Sequence, residues 1–302
     1  MNGIRHGFFV AALATVLVCL DGCATPGPVL TESVGTIRTG IGTAREQSRL
    51  AFEAANRIAL EQAIERKLGD TAAVSLAESD FAPAVAQSDA DQWAAAFGVL
   101  DDYASALQKL VDPQLSQRTG DALQSLGEQL QSGRAINAKL PSGAAGAFAT
   151  FGQSLIQAHA EKQATVIMQR AAAGFSGVMS GMADALGADN SSGLRATVRS
   201  NWQTVLSGIR VKFASTSPTD REVRRQVIQE FLDTMTARDE QLANLEQLRV
   251  SLIALGEAHA AAGRGNHGEA VYWIERIDGW LEDAKRRAQE IEQARTSAST
   301  PK

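Results

Sequence analysis

Apolar residues recur every three or four positions along most of this chain, and runs that alternate every second position are almost absent. That spacing predicts helices, and their limits follow from breaks in it. From roughly Thr31 to Leu68 the seam Val34, Ile37, Ile41, Ala44, Ser48, Ala51, Ala55, Ile58 alternates steps of three and four, as two packed helices require. Gly69-Asp70 ends it. Residues 71–87 predict only a short helix and a turn at Phe81-Ala-Pro83. Ser88, with Asp91 three residues later, marks a capped start for a helix that carries Trp93, Phe97, Leu100, Ala104, Leu107 and Val111 on one face. Asp112-Pro113 opens another, because proline fits the first helical position; Leu115, Thr119, Ala122, Leu126 and Leu130 supply its apolar side.

Pro141 opens a long helix predicted to run to about Leu186. Its centre, Ala171 to Ala183, holds 13 residues without charge and three glycines, at 174, 177 and 181. This is short of the roughly 20 residues that span a bilayer, so close approach of a neighbouring helix is the preferred reading. The turn cluster 187–193 follows. The next helix is expected to bury Leu194, Val198, Trp202, Val205, Ile209 and Phe213. Ser217-Pro218 then predicts the start of the longest helix, with Ser217 as cap. Its seam runs Val227, Phe231, Thr234, Arg238, Gln241, Leu245, Leu248, Leu252, Leu255, His259, Ala262. Gly263 to Gly268 turns the chain, and a last helix returns with Ala270, Ile274, Ile277, Leu281, Ala284, Ala288 and Ile291. The predicted fold is all-α: an elongated bundle of about seven helices in long antiparallel hairpins, the last spanning 217–295. Residues 31–190 and 191–302 form an N-terminal and a C-terminal helical region, either separate or joined as one domain.

The first 23 residues follow a different pattern. A short start bearing Arg5 precedes an uncharged apolar run from Gly7 to Leu20, and Leu20-Asp-Gly22-Cys23 closes it. Fourteen residues are too few to span a bilayer, and the layout is that of a secretory signal peptide. The last four residues resemble the lipobox of bacterial lipoproteins, with Asp21 standing where a small or apolar residue is commoner. The resemblance implies cleavage between Gly22 and Cys23, a lipid such as palmitate on Cys23, and residues 23–30 as a tether. Ala24, where inner-membrane retention would show Asp, implies the periplasmic side of the outer membrane. Ordinary cleavage after Ala24, giving a soluble periplasmic protein, is the alternative.

Composition narrows the chemistry. Cys19 and Cys23 are the two cysteines, so the chain beyond the leader keeps one thiol, and neither an internal disulfide nor a thiolate metal site can form. The net charge of −5 and an exported address argue against nucleic acid as a partner. Charge is unevenly spread: seven acids against Lys109 in residues 78–112, and seven bases against two acids in residues 195–225. Solvated helix faces account for both, with a partner site as the rival reading.

No nucleophile elbow, phosphate loop or H-E-x-x-H spacing occurs in the sequence. His259 and His267 flank one turn, with Glu257 and Glu269 nearby, and are the candidates for a zinc or iron site. A seam histidine and a turn histidine, each satisfied by ordinary hydrogen bonds, is preferred, and no metal or cofactor is assigned. His159 reads as a polar break in an apolar face. Trp273 and Trp280, seven apart, read as packing rather than as a ligand platform. The expectation is a non-enzymatic scaffold or protein-interaction adaptor, membrane-bound through its N-terminal lipid, with an envelope protein as partner. A carrier of apolar ligands using the glycine-rich segment 171–187 is the first rival. An enzyme whose site is assembled from scattered residues is the second.

Overall fold

The computed structural model describes residues 28–70, 75–111, 119–132, 142–158 and 163–298. These form eight α-helices and one 3-10 turn, Glu78–Phe81, and no strand among the described residues. The helices are α1 (Pro28–Gly69), α2 (Gln87–Val111), α3 (Thr119–Gln131), α4 (Ser142–Ala158), α5 (Ala164–Leu186), α6 (Gly193–Ser215), α7 (Arg221–Gly263) and α8 (His267–Ala298). The chain is an all-α bundle. Its seams follow the predicted spacing closely in α1, where all eight seam positions from Val34 to Ile58 are buried, and in α2, where all six are.

Two helices set the length. At 42 and 43 residues, α1 and α7 are each roughly 65 Å long. They meet α8 at Gly40, where a Cβ would stand 2.6 Å from Ile274 Cδ1 and 3.2 Å from Leu255 Cδ1. A larger residue there would have to displace the Ile274 side chain. From there α8 runs parallel to α1, tied by Ser33 to His267 (2.8 Å) and by Thr43 Oγ1 donating to Asp278 (2.8 Å). The α2 helix runs antiparallel to α1. Arg38 donates to both carboxylate oxygens of Asp101, the Phe52 and Trp93 rings meet edge to face at 5.1 Å, and Asn56 brackets the backbone of Val85.

Along α7, helices α5 and α6 lie one after the other in the same direction. Ser176 of α5 reaches Gly256, whereas in α6 Trp202 donates to Gln241 (2.7 Å) and Lys212 pairs with Glu230 (2.6 Å). The turn cluster between them offsets the chain and does not reverse it. It needs glycine: Gly187 (φ 103°) and Gly193 (φ 57°) occupy left-handed backbone, and a Cβ on Gly187 would collide with the Ser192 carbonyl. Arg195 fastens this joint by pairing with Glu246 and donating to Asn190. Arg249, with Arg195 adding to it, holds the Glu246 carboxyl below its usual range.

Several expectations are corrected. The single helix predicted from Pro141 to Leu186 is two, α4 and α5, folded antiparallel on each other. One continuous rod would leave the Phe148–Phe151–Leu155 stripe without the Ile167–Phe175–Val178 stripe to cover it; folding back buries all six. The small residues serve the predicted close approach, since a Cβ on Gly174 would stand 2.6 Å from the Phe151 Cα. Reciprocal contacts of Gly127 and Gly152 bring α3 equally close to α4. The cap of α7 is Asp220, which accepts from the Val223 amide, and not Ser217, whose hydroxyl bonds Thr219. In α3 Leu123 is buried where Ala122 was expected, and Ala122 is exposed. In α6 Leu206 is buried, while Leu194, Val205 and Phe213 are half-buried. The predicted start at Pro113 lies outside the described residues.

One continuous cluster of buried residues extends from Val34 to Ile277 and so includes both regions divided at residue 190. Burial is uneven along α7. From Gln241 to Gly263 it is enclosed on most sides, but between Arg221 and Glu240 Val227 is its sole buried residue. The first half of α7 therefore forms, with α6 and the end of α1, a thinner arm.

Candidate functional site

The enclosed half of α7 holds the most unusual polar group in the core. His259 is completely buried, its Nε2 lying 2.8 Å from the equally buried Tyr103 hydroxyl of α2. Phe175 of α5 stacks on the imidazole, with centroids 4.2 Å apart and planes 11° from parallel. Phe151 meets Tyr103 edge to face at 5.1 Å. At the end of α7 Gly263 admits the backbone of α5, a Cβ there standing 3.1 Å from the Gln169 nitrogen.

His259 Nδ1 has no hydrogen-bond partner. With its proton on Nδ1, the ring accepts from the Tyr103 hydroxyl and leaves one buried group unpaired; the other tautomer would strand both Nδ1 and the hydroxyl proton. Burial raises the Tyr103 phenol and pushes the imidazole down to about 3. The site therefore holds a neutral histidine and a neutral tyrosine, and its consequence is on folding. Between pH 6.5 and about 3 the unfolded chain binds a proton that the fold rejects. Stability is complete above this window and declines as pH falls through it, by up to about 1.4 kcal/mol per pH unit. Urea unfolding at several pH values between 7.5 and 5, above the range where carboxylates titrate, is expected to show this slope. The slope should vanish in His259→Phe. Equal slopes in the two proteins would remove His259 as its source.

The two histidines at the turn serve separate partners. His267 begins α8 and binds Ser33 through Nδ1, while His259 faces inward to Tyr103. Among the described residues no group of three or more His, Cys, Asp or Glu is placed to hold a metal ion. His159, Gly22 and Cys23 lie outside the described residues. Trp273 and Trp280 are partly buried against the core, with the Arg276 guanidinium 5.7 and 5.1 Å from their ring centroids. No described helix is long and apolar enough to cross a membrane.

The basic segment resolves into paired and unpaired charges. Arg195 and Lys212 take carboxylates of α7, while Arg210 and Arg224 lie over the rings of Phe231 and Phe213 at 5.3 and 3.9 Å. Arg221 and Arg225 are exposed, and no ion pair with them occurs among the described residues. They open a second line of positions on α7 that was not read from the sequence. The line is Arg221, Arg225, Ile228, Leu232, Met235 and Asp239, spaced by four and three, on a face of α7 turned away from buried Val227. Ile228 and Leu232 are 49% and 50% exposed, and Met235 is half-buried. The spacing was present in the sequence, but the stronger seam through Val227 and Leu245 masked it.

No family model matches this chain, and neither a curated protein nor a solved structure matches it.

Proposed function

We propose that this protein is a lipid-anchored envelope scaffold, held at the periplasmic side of the outer membrane through Cys23 and engaging a protein partner through its helical arm. The observation that carries this reading is the exposed three-four line on α7 and its position. The α1 helix starts beside the α7–α8 turn, where Ser33 meets His267, and ends beside α6, where Glu65 touches Gly208. The arm therefore stands at the far end of the body from the point where the tether enters. From Cys23 to Pro28 the tether reaches at most about 18 Å, so its length holds the near end close to the bilayer and leaves the arm to reach other proteins. A seam of this spacing is a surface for another helix. The lipobox-like Leu20-Asp-Gly-Cys23 supports the anchor.

Cys23→Ala is expected to abolish labelling by palmitate and to release the protein from the outer-membrane fraction. Undiminished labelling, or unchanged fractionation, would overturn the anchor.

A further inference from the structure

We infer that the exposed line on α7 binds the same line of a second copy, antiparallel, about a two-fold axis passing beside Glu230. This deepens the scaffold reading above and rests on it for the membrane geometry. The argument comes from the order of residues on the line. About position 230 the line is symmetric in spacing: 221 lies opposite 239, 225 opposite 235, and 228 opposite 232. It is also complementary in chemistry. Two antiparallel copies set Ile228 against Leu232 twice at the centre and the Arg225 stem against Met235 on either side. At each end Arg221 meets Asp239. A two-fold interface demands this reciprocity, with residue i touching j and j touching i. A foreign helix would have to bring its own acid at one end and base at the other, whereas this chain supplies both.

The groups at the ends are exposed. The Asp239 side chain is 63% exposed, its present ion pair being to its neighbour Arg238. Glu230, nearest the axis, points to Lys212 on the other side of the helix and does not crowd the seam. Of the flanking positions Gln229, Phe231 and Thr236 are uncharged, while Arg224 and Arg238 are engaged by the Phe213 ring and by Asp239 within their own copy. The enclosed part of α7, from Gln241 to Gly263, falls beyond the start of the other copy's α7.

From residue 221 to 239 the seam is about 27 Å long. At a helix width of about 10 Å the seam covers about 270 Å² on each copy, below the roughly 1,200 Å² total of a stable interface, so the free pair is weak. Two chains anchored in one membrane gain effective concentration and favour it. From residue 230 to 263 is about 50 Å, so the paired bodies carry their tethered ends about 100 Å apart. With the axis normal to the bilayer, both lipids enter one leaflet.

The full chain should be tested in detergent and in its native membrane. Mixing Ile228→Cys and Leu232→Cys proteins with a short thiol crosslinker is expected to give a dimer in membranes, and Asp239→Cys alone, whose two thiols lie about 27 Å apart along the pair, should give far less. By sedimentation equilibrium in detergent, Arg221→Asp is expected to weaken self-association by about two- to thirtyfold, the effect of losing two reciprocal exposed charge pairs. Arg221→Asp/Asp239→Arg should restore it, which a merely structural role would not do. Both residues are exposed, and an unchanged circular dichroism spectrum will show that the variants fold. Absence of any self-crosslink both in membranes and in detergent, failure of the swap to rescue, or crosslinking from Leu232→Cys to a different protein alone would overturn the inference. The anchor is judged separately. If Cys23 is not acylated, the dimer in detergent persists and only the membrane geometry is lost.

Discussion

Phe175→Ala is expected to lower the free energy of unfolding by about 3–5 kcal/mol, the range for removing a buried aromatic ring. Phe175 is fully buried, stacks on His259, and touches both Phe151 and Tyr103 through ring contacts at 5.9 and 6.1 Å. Truncation removes the apolar surface that keeps water from the imidazole and leaves a cavity between α4, α5 and α7. The walls cannot collapse easily, because Gly174 already holds α5 against the backbone of Phe151. The midpoint of urea unfolding should shift at nearly unchanged slope. A second readout follows from the electrostatics: once water enters, the histidine is no longer excluded from protonation, and the decline below pH 6.5 becomes shallower. A midpoint shift equivalent to less than about 1 kcal/mol would mean that this cluster is not tightly packed.

Leu248→Ala is expected to cost about 2–5 kcal/mol through lost transfer energy and the cavity left behind. Leu248 is 1% exposed and lies between Leu245 and Leu252, in the half of α7 that is enclosed by its neighbours. Ile253→Ala on the same helix is the control. Its side chain is 39% exposed, so its loss should stay within about 0.5 kcal/mol. The helix propensity changes are similar at the two positions, and the difference between the variants reports burial. Equal effects would show that the register of α7 against its neighbours is wrong.

These predictions differ in how far the sequence alone could have supplied them. Leu248 was legible, because a run of leucines at steps of three and four defines a seam without knowledge of the partner helix. The whole α1 seam was legible for the same reason. The Tyr103–His259 pair was not: its members are 156 residues apart, and Tyr103 sits between Leu100 and Ala104 as one more residue of an apolar face. His259 was read as a seam residue, which it is, but the sequence did not show which hydroxyl receives it. The α4–α5 break was also missed. No proline interrupts residues 142–186, and local pattern alone continues a helix until something stops it. Here the stop is the burial gained when two glycine-bearing stripes face each other.

What the sequence by itself determined is the all-helical class, the seams of the long helices and the two glycine-rich turns. Each of these is written in residues close together in the chain, as a period or a turn residue. Tertiary structure alone decided that α1 runs parallel to α8, that α5 and α6 share α7 end to end, and that half of α7 is enclosed while half presents an open face. The periodicity of a helix fixes which side must be covered but carries no information about what covers it. That choice is made by the fit of distant surfaces, by Gly40 against Ile274 and Gly174 against Phe151, and it becomes visible only when the helices are assembled.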